Sequence, residues 1–342
     1  MQIKDNQSLA DYSGMRLGGT AAHVTSIASR TELTEAVKWA KEQNLPVIMV
    51  GYGTNIVWRD EGFPGLVIVN KIMGFDIYEQ DETNFYVTVS AGENWDSVVE
   101  RCVDAGLSGI EALSLVPGTT GATPVQNVGA YGQEVAQTIL TVEAYDSEEG
   151  KFVNLGASDC GFGYRTSRFK TSDHGRFFIT SVTYHLVKRN PGPPFYGSLQ
   201  KYFEAAKITE FTPKVVRDAV IGLRTAKLPD VAVIKNCGSF FTNPIIKKDQ
   251  LDYIVSNYRD AVHWPVNDDM AKMSAAWLIE AAGFKDFHDP ETGMATWPKQ
   301  ALVLVNESAK STADLLAFKQ KIIDSVSTKF GIILEQEPEL LP

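Results

Sequence analysis

The chain has 342 residues, 44% hydrophobic and 22% charged, the composition of an ordinary globular protein long enough for two or three domains. Its formal net charge of −10 disfavours general nucleic-acid binding. An anionic small substrate would therefore have to be met by local cations, for which Arg165, Arg168, Lys170, Arg224, Lys227 and Lys235 are candidates.

The first residues carry no apolar core of a signal peptide, and no run approaches membrane-spanning length. Ser29 with Glu32 fits a capping box, and Leu33, Ala36, Val37 and Ala40 continue at helical spacing towards Asn44. Pro46 interrupts, and VIMV (Val47–Val50) reads as a buried strand. Phe85–Ala91 alternates as a strand and leads into a helix with Val98, Val99 and Cys102, which Gly106 ends. Residues 116–132, VPGTTGATPVQNVGAYG, make a poor helix and a poor strand. A loop of that length with apolar residues and no charge points to function rather than disorder. RNPGPPFYGSL, from Arg189, reads as a junction. Thr212 and Pro213 then open a helix through Val216, Ala219, Val220 and Leu223. Further expected elements are a helix from Asp269 to Ala282, a strand Ala301–Asn306, a helix beginning near Ser311 and a final strand Gly331–Glu337. Strands and helices mix without a regular βαβ period, so the expected fold class is α+β. The three cysteines (Cys102, Cys160, Cys237) lie far apart with no C-x-x-C, which argues for reduced thiols in a cytoplasmic protein, with no disulfide frame and no metal site.

Two glycine-rich loops carry the chemistry. VGYGTN (Val50–Asn55) has G-x-G after a strand, but Ile56 stands where a dinucleotide fingerprint needs Gly or Ala, and Walker A fails for want of G-K-[ST]. By itself the stretch reads as a plain β-turn ahead of a phosphate-binding backbone nest. PGTTG (Pro117–Gly121) offers the same hydroxyls and unhindered amides, and a pair of such loops could hold a dinucleotide pyrophosphate. Farther on, NCGSFFTNP (Asn236–Pro244) places Ser239 between a glycine and two phenylalanines. It lacks the G-x-S-x-G elbow of a nucleophilic serine, since Phe241 follows two residues later.

The ordered set MRLGGTA, VGYGTNIVW, SAGENW, VPGTTGATPVQNVGAYG, FGYRTSRF, RTAKLPD, NCGSFFTNP and LEQEP resembles the UDP-N-acetylenolpyruvoylglucosamine reductases over nearly the whole chain. YGSL after the proline-rich stretch resembles the subtype with an additional tyrosine loop. The resemblance implies a two-lobed FAD-binding domain of the vanillyl-alcohol-oxidase (PCMH) type at residues 16–190, split near residue 70. It further implies a junction with the tyrosine loop at 191–212, a C-terminal α+β substrate-binding domain at 213–332, and a terminal strand at 333–342 that returns to the active site. The implied activity is a cytoplasmic, NADPH-dependent reduction of UDP-N-acetylglucosamine enolpyruvate in peptidoglycan precursor synthesis. The implied protein is a monomer whose partners are small molecules, neither nucleic acid nor membrane.

By the same resemblance, noncovalent FAD is held by Gly51, Gly53, Thr54, Asn55, Pro117, Gly118, Thr119, Thr120, Gly121, Thr123, Gln126, Asn127, Gly129 and Tyr131. Arg165 serves the substrate carboxylate, a task suited to its planar donor fork. Ser239 gives a proton to the enolate-like product of hydride transfer, which requires no histidine partner. Glu337 is the matching glutamate. Strand alternation puts Glu335 and Glu337 on one face, so spacing alone does not separate them, and motif register selects Glu337. Tyr196, Lys227, Asn243 and Gln300 match substrate-contacting positions. The competing readings are a flavin oxidase or dehydrogenase of the same FAD-binding fold acting on a neutral alcohol, and a nucleotide-sugar binding module without chemistry.

Overall fold

The computed structural model describes residues 1–342, which form two compact units. The first comprises residues 1–7, 21–52 and 63–226, and the second residues 8–20, 53–62 and 227–342. The helix Pro213–Lys227 thus belongs almost entirely to the first unit, although the sequence reading starts the C-terminal domain there.

The first unit has two sheets. One orders its strands Ile3–Ser8, Thr20–Ile27, Phe63–Asn70, Val47–Val50, with Phe63–Asn70 parallel to both Thr20–Ile27 and Val47–Val50. The helix Arg30–Glu42 lays Leu33, Ala36, Val37 and Ala40 against Ile27, Leu66 and Ile68. Half of the expected capping box forms there: Ser29 Oγ accepts from the Glu32 amide, but the Glu32 carboxylate reaches past Ser29 to the Ala28 amide at 2.6 Å. Such a cap contributes about 1 kcal/mol. The other sheet is antiparallel, in the order Lys151–Gly156, Ile139–Asp146, Phe177–Val187, Asn84–Ser90, Phe75–Glu79. Its core takes Val98, Val99 and Cys102 from the helix Trp95–Asp104. Gly106, at φ 76°, ends that helix. The Gly106 and Leu107 amides donate to the carbonyls of Val103 and Cys102, a hydrogen-bond pair that needs the left-handed residue.

The 191–212 stretch is more than a junction, because Gly197–Ala206 is a helix. Its Leu199 and Phe203, one turn apart, bury against Val216, Ala219 and Val220 of the helix Pro213–Lys227. Thr212 caps the latter as expected, its hydroxyl accepting from the Val215 amide at 3.2 Å.

The second unit contains a four-stranded sheet (Asn236–Ser239, Gln300–Asn306, Met294–Trp297, His288–Asp289) and a three-stranded one (Ile245–Lys247, Met270–Met273, His263–Pro265). Two expectations are corrected here. Residues 269–273 do not begin a helix. Met270–Met273 is a strand with alternating burial, and Ser274 caps the helix Ala275–Ile279 by accepting from the Trp277 amide. The final strand is also not Gly331–Glu337. Gly331 is the left-handed cap of the preceding helix, residues 332–337 make only a single bridge, Gln336 to Phe241, and the strand proper is Glu339–Leu341, parallel to Ile56–Trp58. The long helix Thr312–Phe330 is capped by Ser311, whose hydroxyl accepts from the Asp314 amide, and sends Leu315, Phe318, Ile322 and Val326 into the core.

Candidate active site

Gly51, of the first glycine loop, meets the second loop within the first unit. A Cβ added to Gly51 would overlap the Thr119 hydroxyl and sit 3.1 and 3.2 Å from the Thr119 Cγ2 and Cβ. Only a glycine lets the 51 turn approach the PGTTG loop this closely. Gly118 (φ 133°) accepts from the Trp95 amide through its carbonyl, while the Thr120 and Gly121 amides donate to Glu93 and Ala91. Gly121 is pressed against Ala91 as well. Thr119, Thr120 and Thr123 are buried, and the Thr123 hydroxyl shares a hydrogen bond with the Tyr184 hydroxyl at 2.8 Å. Pro117, Gln126, Thr54 and Asn55 are half-buried, and Gly53 takes φ 69° in the second unit.

From Asn127 onward the loop turns into a small hairpin, Gly129–Ala130 against Gln133–Glu134, through Tyr131 (φ 47°) and Gly132 (φ 85°). Two successive left-handed residues are what such a two-residue turn demands. Asn127 (φ 48°) and Arg165 (φ 55°) are left-handed too. Bulky residues in that region store strain that the surroundings must enforce, a frequent mark of functional sites. The enforcement is visible. The Arg165 guanidinium donates to the carbonyl of Gly129 at 2.6 Å and of Asn127 at 3.5 Å. The Asn127 amide donates to Glu134 and to the Gly163 carbonyl and accepts from the Ala136 amide. Its side chain is therefore committed within the protein. Ser167 ties the same segment to the Val125 carbonyl at 2.6 Å.

In the second unit Ser239 is half-buried at the end of Asn236–Ser239, opposite Val303. Gly238 (φ 76°) turns the chain, its amide held by the Asn236 side chain at 2.9 Å. Gly14 approaches so closely that a Cβ there would overlap the Asn236 carbonyl. Phe240 and Phe241 are buried behind the serine with their rings edge to face at 5.3 Å. Glu337 lies alongside, its amide donating to the Phe240 carbonyl at 3.0 Å, and the Thr242 amide donates to Glu335. Glu337 is half-buried and Glu335 exposed, a distinction that spacing does not provide. Burial pushes the Cys237 thiol far up, and the nearby Glu337 carboxylate adds to it. Ser239 and Glu337 thus stand on adjacent chain segments of the second unit, whereas Arg165 belongs to the first.

Of the substrate candidates, Tyr196 belongs to the first unit and Lys227, Asn243 and Gln300 to the second. Tyr196 is 37% exposed and packs edge to face on Tyr131 at 6.0 Å. Lys227 is exposed at the end of its helix, and its carbonyl accepts from the Trp297 indole at 3.0 Å. Trp297 in turn pairs with Gln300 across a strand connection. The side-chain oxygen of Asn243 accepts from the Ala275 amide, leaving its NH2 group for other partners.

Arg224 is a residue the sequence reading named only as a cation. It sits in the RTAKLPD motif, donates to the Leu115 carbonyl, and keeps its Nε buried without a hydrogen-bond partner. Burial lowers its pKa, opposed by Tyr131 and Asp96. A half-buried guanidinium with a buried, unused Nε donor beside a glycine-rich loop fits an anionic group such as the diphosphate of FAD.

Residues 21–156 match the family model described as an FAD binding domain. Fold and site together define a flavoprotein, an FAD-binding module followed by a second module of its own architecture. Residues 229–341 match the C-terminal domain of UDP-N-acetylenolpyruvoylglucosamine reductase. UDP-N-acetylenolpyruvoylglucosamine reductase of Thermobifida fusca is 40% identical across 98% of this chain and 97% of its own, and that of Alcanivorax borkumensis is 38% identical across 97% and 95%. The chain belongs to the UDP-N-acetylenolpyruvoylglucosamine reductase family. The crystal structure of the Thermus caldophilus reductase shares the fold, with a TM-score of 0.68 at 22% identity and full coverage of both chains. No helix is long and apolar enough to cross a membrane.

Proposed function

We propose that the chain reduces UDP-N-acetylglucosamine enolpyruvate to UDP-N-acetylmuramate with NADPH through FAD, in peptidoglycan precursor synthesis. The observation that carries this reading is the end-to-end likeness to named reductases, with both modules in the same order. FAD, when bound, supplies the hydride chemistry between NADPH and substrate.

The chain's own residues do the rest. Gly51, Gly53, Thr54, Asn55 and the loop from Pro117 to Tyr131 hold the cofactor noncovalently, and Arg224 meets its negative charge. Arg165 takes the enolpyruvyl carboxylate with its planar fork and stabilises the charge that grows there as the terminal vinyl carbon is reduced. Stabilisation of developing charge by fixed donors is commonly the largest catalytic contribution. The Ser239 hydroxyl delivers a proton to the neighbouring carbon, with Glu337 beside it and Phe240 and Phe241 excluding water from behind. Tyr196, on the loop of the tyrosine-loop subtype, contacts the UDP-sugar together with Lys227, Asn243 and Gln300. We place the protein in the cytoplasm as a monomer with small-molecule partners and no nucleic acid, in keeping with its net charge of −10.

The test is anaerobic. The purified protein is expected to be yellow, to bleach with NADPH, and to regain colour when the enolpyruvyl UDP-sugar is added, with the lactyl ether as product. Acid precipitation should release the flavin into the supernatant. Colourless protein, or bleaching that only oxygen reverses, would overturn the assignment.

A further inference from the structure

We propose that Glu134 is a positioning residue that sets the Arg165 guanidinium in its working orientation, an inference that rests on the role given to Arg165 above. Arg165 is held by two carbonyls, those of Gly129 and Asn127. Glu134 controls both. It pairs with Gly129 across the small hairpin, and its carboxylate accepts from the Asn127 amide at 2.9 Å. The fit is tight: a Cβ on Gly129 would lie 2.8 Å from both the Glu134 Cγ and the Arg165 Nη1.

The geometry works against the intrinsic preferences of the chain. Asn127, Tyr131 and Arg165 all occupy the left-handed region, so each relaxes to a commoner conformation when released. Asn127 is 1% exposed, and its two amide hydrogens go to Glu134 and to the Gly163 carbonyl, two residues before Arg165. The carboxylate of Glu134 therefore anchors one link that fixes the two carbonyls and the arginine backbone together. Without it, Arg165 keeps its charge but not its direction. A displacement of about an ångström in a reacting geometry can cost about 10²-fold in rate.

The experiment follows the two half-reactions by stopped flow in the holoenzyme. Glu134→Ala is expected to slow flavin reoxidation by the enolpyruvyl substrate by about tenfold or more, while reduction by NADPH stays within about twofold of wild type. Glu134→Gln, which keeps a carbonyl oxygen for the Asn127 amide, is expected to stay within about threefold in both. In an Arg165→Ala background, Glu134→Ala should add less than about twofold, because residues acting as one unit are not additive. Glu134→Asp, whose carboxylate is drawn back by one methylene, carries the same cycle if Glu134→Ala does not fold. Equal losses in both half-reactions, or a full additional loss on top of Arg165→Ala, would overturn the inference and make Glu134 a general structural clamp. If Arg165→Ala itself leaves reoxidation at the wild-type rate, the role assigned to Arg165 fails first and this inference falls with it.

Discussion

Replacing Gly51 by alanine is expected to damage cofactor binding by forcing apart two loops that touch. The backbone conformation of Gly51 does not itself require glycine, so the cost comes from the contact with Thr119 alone. The new methyl would overlap the Thr119 hydroxyl more deeply than a few tenths of an ångström of side-chain give can relieve. Thr119 is 2% exposed and has little room to turn away. Overpacking of this kind costs about 1–3 kcal/mol, which at about 1.4 kcal/mol per factor of ten weakens binding between about fivefold and 10²-fold. With Thr119→Ala in place, the hydroxyl and Cγ2 are gone and the nearest Thr119 atom is the Cβ at 3.2 Å, which is only slightly tight. Gly51→Ala should then cost a few-fold at most. The assay is FAD titration of the apoprotein in all four members of the cycle, with apoprotein melts to show how much of the strain falls on the fold. Unchanged affinity and melting in Gly51→Ala, or an equal loss with and without Thr119, would refute the reasoning.

Ser239→Ala should leave NADPH-driven flavin reduction nearly intact and slow reoxidation by substrate about 10²-fold or more, with Ser239→Cys recovering part of it; reoxidation at the wild-type rate would make the serine structural. Arg165→Lys keeps the charge but loses the two-point contact, so turnover should fall much more than flavin reduction, and equal losses would contradict the carboxylate role. Burial tends to raise the Asp96 carboxyl, but hydrogen bonds from Arg217 and the Leu115 amide outweigh it and hold it below the ordinary carboxylate range. That stabilisation is complete above the unfolded value of about 3.9 and disappears as pH falls through the lower folded value. Asp96→Asn, which leaves the buried Arg217 short of its partner at 2.6 Å, should cost about 2 kcal/mol near pH 7 after allowance for the partial exposure of Asp96. Urea melts that show no loss near pH 7, or an equal loss near pH 2, would contradict it.

Local signals were readable where the deciding atoms are neighbours in the chain. Ser29, Thr212 and Ser311 cap their helices within a turn, and Gly106 ends its helix through its own left-handed backbone. The misses share a different cause. Met270–Met273 has apolar residues that suit either period, and pairing with Ile245–Lys247 and His263–Pro265 decides for strand. Gly197–Ala206 hides behind a proline-rich approach, although Leu199 and Phe203 are spaced for one buried face. Ile3–Ser8 is too polar to announce itself and is a strand because it lies at a sheet edge. The site divides similarly. Motif order located Ser239, Arg165 and the glycine loops, but the unused Nε of Arg224 and the grip of Glu134 on Asn127 exist only once distant segments are packed.

The second unit is not a stretch of chain that can be cut out. Its core places Met15, Leu17 and Val57 among Leu315, Phe318 and Ile322, and Ile56–Trp58 finds its strand partner at Glu339–Leu341, from the opposite end of the sequence. During synthesis the segments Ser8–Thr20 and Gly53–Gly62 emerge early with only each other to pack on, and Trp58, fully buried in the finished protein, has its contacts with Tyr12 and Gly18 but lacks the rest of its cover until the other end of the chain is made. Residues 1–226 can begin to close on the ribosome; residues 227–342 produced as a separate fragment would carry a core with its N-terminal contributors missing. For any attempt to express, label or fuse the halves independently, the useful seam is therefore not a point along the sequence. Both early segments have to travel with the C-terminal part.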